Sequence, residues 1–81
     1  MKISVTQHHI DAGARGSCSR DPIALAMKDA GAEKVWASPT YLSWWKDLKV
    51  YNVPTPEVVW RFMKLFDNKA PVKPFEFEAE L

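Results

Sequence analysis

The chain has a single cysteine, Cys18, so it can form no intramolecular disulfide and no multi-cysteine zinc knuckle. No apolar run approaches the length of a membrane span, and the N-terminus lacks a basic segment followed by an apolar core and a cleavage site. A reducing cytoplasm and no membrane partner are the expectation. Charge of one sign is also scarce: eleven basic against ten acidic side chains leave a net charge of +1. A generic phosphate binder needs a strong basic excess, so duplex DNA is disfavoured as a partner. The phosphate-binding GxxxxGK loop, GxGxxG, HExxH and GxSxG are all missing, and no cofactor is implied.

Histidines are few and badly placed for chemistry. His8 and His9 are adjacent, so their side chains diverge, and Asp11 is the only close acid; no metal site is expected. A catalytic histidine needs a nucleophile beside it, and Cys18 is the only candidate, without a third residue identifiable to orient the pair. The sequence therefore names no catalytic residue and reads as non-enzymatic.

What is present is a set of well-marked local signals. Eighty-one residues make one domain, 1–81, with one core. Lys2 to Val5 alternates polar and apolar and predicts a short strand, after which Thr6 caps a brief turn through His9 and Ile10 that ends at Gly13. Asp21 as N-cap and Pro22 as first helical residue start a helix whose apolar positions Ile23, Ala26, Met27 and Ala30 recur at helical spacing, with Gly31 just past its end. Lys34 to Ala37, Tyr41 to Trp45 and Leu48 to Val53 predict extended segments, the first two separated by the turn Ser38-Pro39-Thr40.

Thr55-Pro56-Glu57 repeats the helix-start signal with Thr55 as cap, and Val59, Phe62, Met63 and Phe66 form one apolar stripe. The C-terminal segment sets Phe75, Phe77, Ala79 and Leu81 against Glu76, Glu78 and Glu80, a strand with one wet acidic face. The acidic row keeps an edge strand soluble or imitates a row of phosphates. The fold class that follows is α+β: one small, mainly antiparallel sheet with two helices on one face, in an order compatible with βαββαβ.

Two sets of residues stand out as candidate sites. The loop before the Asp21 helix start carries Arg15, Ser17, Ser19 and Arg20, two guanidinium groups and two hydroxyls beside free helical N–H groups, a place to hold an anion. Asp21 itself occupies the anion position of that terminus. The same cations and helix start would lower the pKa of Cys18. The second set is aromatic. Four tryptophans exceed what so small a core needs, and strand geometry sends Trp44 and Trp45 to opposite faces. Tyr41, Trp44 or Trp45, Tyr51 and Trp60 are the candidate partner-binding residues, since Trp and Tyr are enriched among interface hot spots.

Val5 to Gly13 (Val-Thr-x-x-His-Ile-x-x-Gly), Cys18 to Gly31 (Cys-x-x-x-Pro-Ile-Ala-Leu-Ala-x-x-Asp-Ala-Gly) and Pro71 to Phe77 (Pro-Val-x-Pro-Phe-x-Phe) together resemble small proteins encoded by bacteriophages and prophages. In those proteins a second cysteine often precedes the Pro-Ile-Ala-Leu-Ala run, where Asp21 stands here. The resemblance implies phage origin and carries no activity. With it, the chain reads as a non-enzymatic binder of a bacterial host component, docking on a host protein and inhibiting a defence system. The alternatives are sequestration of a small nucleotide by the Arg15–Asp21 loop and an aromatic, a nucleic-acid-binding accessory role, or virion assembly.

Overall fold

The computed structural model describes all 81 residues. In chain order it contains β1 (Lys2–Val5), α1 (Gln7–Ala12), α2 (Pro22–Asp29), β2 (Glu33–Ala37), β3 (Tyr41–Lys46), β4 (Lys49–Pro54), α3 (Glu57–Asp67) and β5 (Phe75–Glu78). The fold is α+β, as the sequence predicts. No helix is long and apolar enough to cross a membrane.

Local signals explain most of these boundaries. The Thr6 side chain accepts from the His9 amide, and the His9 ring returns the bond to the Thr6 amide, closing a capping box that holds the short α1. Asp21 caps α2 through the Ala24 N–H at 2.7 Å, with Pro22 in the first helical position. Gly31 takes φ of +108° past the end of α2, a backbone conformation that a residue with a Cβ adopts only under strain. The expected cap of α3 is corrected. Pro56, not Thr55, is the N-cap and makes no side-chain cap bond. The Thr55 hydroxyl instead donates to the Ser38 carbonyl at 2.6 Å, clipping the start of α3 to the β2–β3 turn.

The strands form two sheets rather than one: β1 pairs with β5, and β2, β3 and β4 form a separate antiparallel sheet in that order. The βαββαβ order is likewise not adopted, since three strands lie between α2 and α3 and a third helix, α1, follows β1. At the β2 edge the Ala37 N–H is taken by the Cys18 carbonyl at 2.7 Å, and the pairing with β3 shifts register between Glu33 and Trp36, so this edge offers β1 and β5 no regular ladder. They pair with each other instead, Ile3 opposite Phe77 and Val5 opposite Phe75.

One core serves both sheets. Ile3 and Val5 from β1, Ile23 and Met27 from α2, Leu42 and Trp44 from β3, and the whole predicted stripe of α3 are buried in it. Phe62 of α3 meets Phe75 of β5 at 4.8 Å between ring centroids, which seats α3 on the two-stranded ribbon. The core therefore lies against one face of the three-stranded sheet and leaves the other face bare.

Candidate functional site

The bare face is built by strand alternation. Register places Ser43 opposite both Trp36 and Asn52, Trp45 opposite Val50, and Tyr41 opposite Pro54. Tyr41, Ser43 and Trp45 therefore share the outer face of β3 with Trp36 on one side and Val50, Asn52 and Pro54 on the other. Trp36 is 50% exposed, Trp45 39% and Tyr41 41%, with Val50 exposed beside them. Lys34 stands over the Trp45 ring with its ammonium 5.0 Å from the centroid.

At the end of this face the β3–β4 hairpin turns through Asp47 and Leu48. Both have positive φ, 50° and 65°, a conformation favouring Asn, Asp and Gly. Leu48 is nonetheless 96% exposed there, the most exposed large hydrophobic side chain of the molecule. Lys34, with φ of 49°, lies in the register shift of β2. Three of the four non-glycine residues with positive φ thus belong to this one sheet, the other being Lys69. Strained backbone of this kind costs of order 1–3 kcal/mol per residue and clusters where a surface has work to do.

The sequence-predicted aromatic set divides accordingly. Tyr41 and Trp45 lie on the outer face. Trp44 is corrected: it points inward, is buried in the core, and can offer nothing to a partner. Tyr51 shares that inner side, half-buried and stacked on Trp44 with ring centroids 5.4 Å apart. Trp60 is exposed on α3, in a shallow groove with Arg61, Lys64, Leu65 and Asn68, a surface that includes no sheet residue. Trp36, Val50 and Leu48 are the outer-face residues that sequence reasoning missed. The signal for Leu48 was readable in the Asp-Leu pair at a two-residue hairpin, where Asp-Gly is the ordinary choice.

The basic loop is organised around acids rather than around an empty anion hole. Arg15 donates from Nε to the Phe66 carbonyl at 3.0 Å and lies over the Phe66 ring, which ties the loop to the end of α3. The Gly16 amide donates to Asp67 at 3.1 Å, and Lys28 reaches back to the Ser19 carbonyl at 2.7 Å. Arg20 is exposed, while Ser17 and Ser19 are half-buried. Ser17, Cys18, Asp21 and Asp67 line a common cleft of about 200 Å³.

Two carboxyl groups and no cationic side chain line that cleft. Burial pushes the Asp21 carboxyl up to about 7, with Asp67 adding to the rise, against the Ala24 N–H bond that lowers it. The Cys18 thiol is pushed up as well, by burial first and then by Asp21 and Asp67, opposite to the lowering its cationic neighbours suggested. A phosphate approaching the α2 terminus meets two carboxyl groups.

His9 is occupied structurally. Its Nδ1 accepts from the Thr6 amide at 3.0 Å, so Nε2 carries the proton toward Asp29, 2.6 Å away. No three His, Cys, Asp or Glu side chains come together as metal ligands would. In the acidic row, Glu76 accepts from Ser4 at 3.1 Å and Glu78 lies 3.4 Å from the terminal ammonium of Met1. No family model matches this chain, and neither a curated protein nor a solved structure shows significant similarity to it.

Proposed function

We propose that this protein is a non-enzymatic binding module that docks on another protein through the outer face of the β2–β3–β4 sheet. The observation that carries the reading is the concentration of exposed Trp36, Tyr41, Trp45 and Val50 on one face, continued by Leu48 at the hairpin tip. Keeping large apolar side chains in water costs about 25 cal/mol for each Å² left uncovered, and contiguous patches of them mark interaction surfaces. Trp and Tyr on a rigid sheet are also the side chains that concentrate binding energy at low entropic cost.

The resemblance to phage-encoded proteins supplies the partner class, a protein of a bacterial host, and inhibition of a defence system is the sharpest form of the idea. The loop cleft weighs against nucleotide sequestration, because Asp21 already takes the Ala24 N–H at the helix start and no cationic side chain lines the cleft where a phosphate would have to bind.

The test is a pull-down from bacterial lysate with tagged wild-type protein and the variants Trp45→Ala, Trp36→Ala, Arg15→Ala and Arg20→Ala, followed by mass spectrometry of bound protein and of small molecules released by heat. Docking predicts one host protein in stoichiometric amount, retained by Arg20→Ala and lost from both tryptophan variants. A released nucleotide that disappears in Arg15→Ala and Arg20→Ala, or a bound protein indifferent to Trp36 and Trp45, overturns it.

A further inference from the structure

The two edges of the three-stranded sheet are finished differently. On the β2 side the Cys18 carbonyl takes the Ala37 amide, a register shift interrupts the ladder, and Lys34 adopts positive φ. These are the devices that stop another strand from adding. The β4 side has no such cover.

The phase of the β4 backbone follows from the bonds it makes. The Thr55 amide donates to the Thr40 carbonyl at 3.2 Å, and the register sets Val53 opposite Leu42, Tyr51 opposite Trp44 and Lys49 opposite Lys46. Antiparallel alternation therefore turns the main-chain groups of Lys49, Tyr51 and Val53 toward β3 and those of Val50, Asn52 and Pro54 outward. No turn, loop or cap bond in the chain uses the outward groups, and all three residues are exposed. Pro54 stands in the outward phase, where its missing N–H takes nothing from β3.

We propose that this edge is completed by β4 of a second copy of the chain, running antiparallel about a two-fold axis through Tyr51, so that two three-stranded sheets become one of six strands. Val50 and Asn52 each present one donor and one acceptor. The axis at Tyr51 sets Val50 against Asn52 of the second copy and Asn52 against its Val50, so each copy donates two bonds and accepts two. Shifting the axis to Asn52 would leave the Val50 carbonyls facing proline rings, which have no hydrogen to give.

No charged residue lies between Val50 and Val53, so the paired strand residues themselves oppose no like charges. Lys49 falls opposite Val53 of the second copy, where its methylene stem can cover the valine. On the inner side the two Tyr51 rings meet beside the groove of about 230 Å³ that Tyr51 and Val53 line together with Glu78 and Glu80. An axis perpendicular to the sheet keeps both outer faces on the same side. The pairing needs nothing from the docking reading and stands or falls apart from it.

The test is sedimentation equilibrium of the full chain up to its solubility limit. The expected result is a concentration-dependent rise toward twice 9.3 kDa. Asn52→Pro removes an outward donor and no hydrogen bond to β3, at an edge strand where proline is tolerated, so it is expected to keep the far-UV spectrum of the wild type and remain at the monomer mass. A second arm reads the register without a proline: in a Cys18→Ser background, Val50→Cys and Asn52→Cys chains mixed and oxidised cross-link to each other, because opposed residues of a hydrogen-bonded pair lie about 5.5 Å apart, within disulfide reach. Neither variant cross-links alone. A monomer at every concentration overturns the proposal, as does a dimer that joins Asn52→Cys chains to themselves.

Discussion

The rings of Trp44 and Tyr51 stack 5.4 Å apart with 8° between their planes, on the inner face of the strand pair whose outer face carries Trp45 and Val50. One pair of adjacent tryptophans is thereby split between two jobs. Trp44 holds the sheet to the core, and Trp45 is left on the exposed outer face.

That division predicts opposite results from two neighbouring substitutions. Trp44→Ala removes a fully buried indole and costs about 3–5 kcal/mol, enough to unfold most of a population of so small a domain. Trp45→Ala costs under about 1 kcal/mol. Urea denaturation followed by circular dichroism separates them. Trp44→Phe is less harmful than Trp44→Ala, since the ring stays and the Nε1 donor, buried without a partner, is removed.

Leu48→Gly is expected to stabilise the protein. The turn residues Asp47 and Leu48 both have positive φ, and Asp-Gly is the pair that such a hairpin turn prefers. Relief of left-handed strain is worth about 1 kcal/mol, a rise in Tm of roughly 4–8 °C for a domain of this size. The same variant binds the partner more weakly, because the most exposed apolar side chain is gone. A Tm unchanged or lowered by the substitution contradicts the strain argument.

Asp21 gives the fold a defined pH response. Its carboxyl titrates near 4 in the unfolded chain and at about 7 in the folded one. Between those values the folded state holds the proton and the unfolded state has lost it, so stability falls as pH rises, by at most about 1.4 kcal/mol per pH unit, and levels off above 7. Asp21→Asn keeps an N-cap side chain and cannot ionise. It should flatten this part of the stability curve, exceeding the wild type at pH 8 and matching it near pH 4 in thermal melts.

His9 and Asp29 join α1 to the last residue of α2 at 2.6 Å, and His9 also completes the α1 capping box. His9→Ala removes both connections, leaves a void where the ring was buried, and is expected to cost about 2–3 kcal/mol. Hydrogen exchange then shows the loss first in residues 7–12. Uniform acceleration across both sheets would contradict this local role.

The helix starts and the α3 stripe were legible because their causes are local: Thr6 and Asp21 reach only three residues ahead for their partners. Thr55 carries the same local signal, yet its hydroxyl serves Ser38, seventeen residues back, and the cap passes to Pro56. The single sheet was misread for a similar reason. The β2 edge is occupied by Cys18 reaching Ala37, nineteen residues on, and β1 finds its partner β5 at the far end of the chain, pairings that no local window of sequence contains. Arg15 reads as part of an anion site in the sequence because its partner, the Phe66 carbonyl, and the Asp67 carboxylate that takes the Gly16 amide each lie 51 residues away from the residues they bind. The alternation of Trp44 and Trp45 was readable, but which of the two faced inward depended on where the core lay.

Docking through the outer sheet face is tested most directly by site-specific photocrosslinking in bacterial cells. A photoreactive residue is placed in turn at positions 45, 48 and, in the exposed loop before α2, 20. Docking predicts that positions 45 and 48 cross-link the same protein in high yield while position 20 does not. Cross-links from position 20 alone, or none from 45 and 48 in cells where the protein is active, would contradict it.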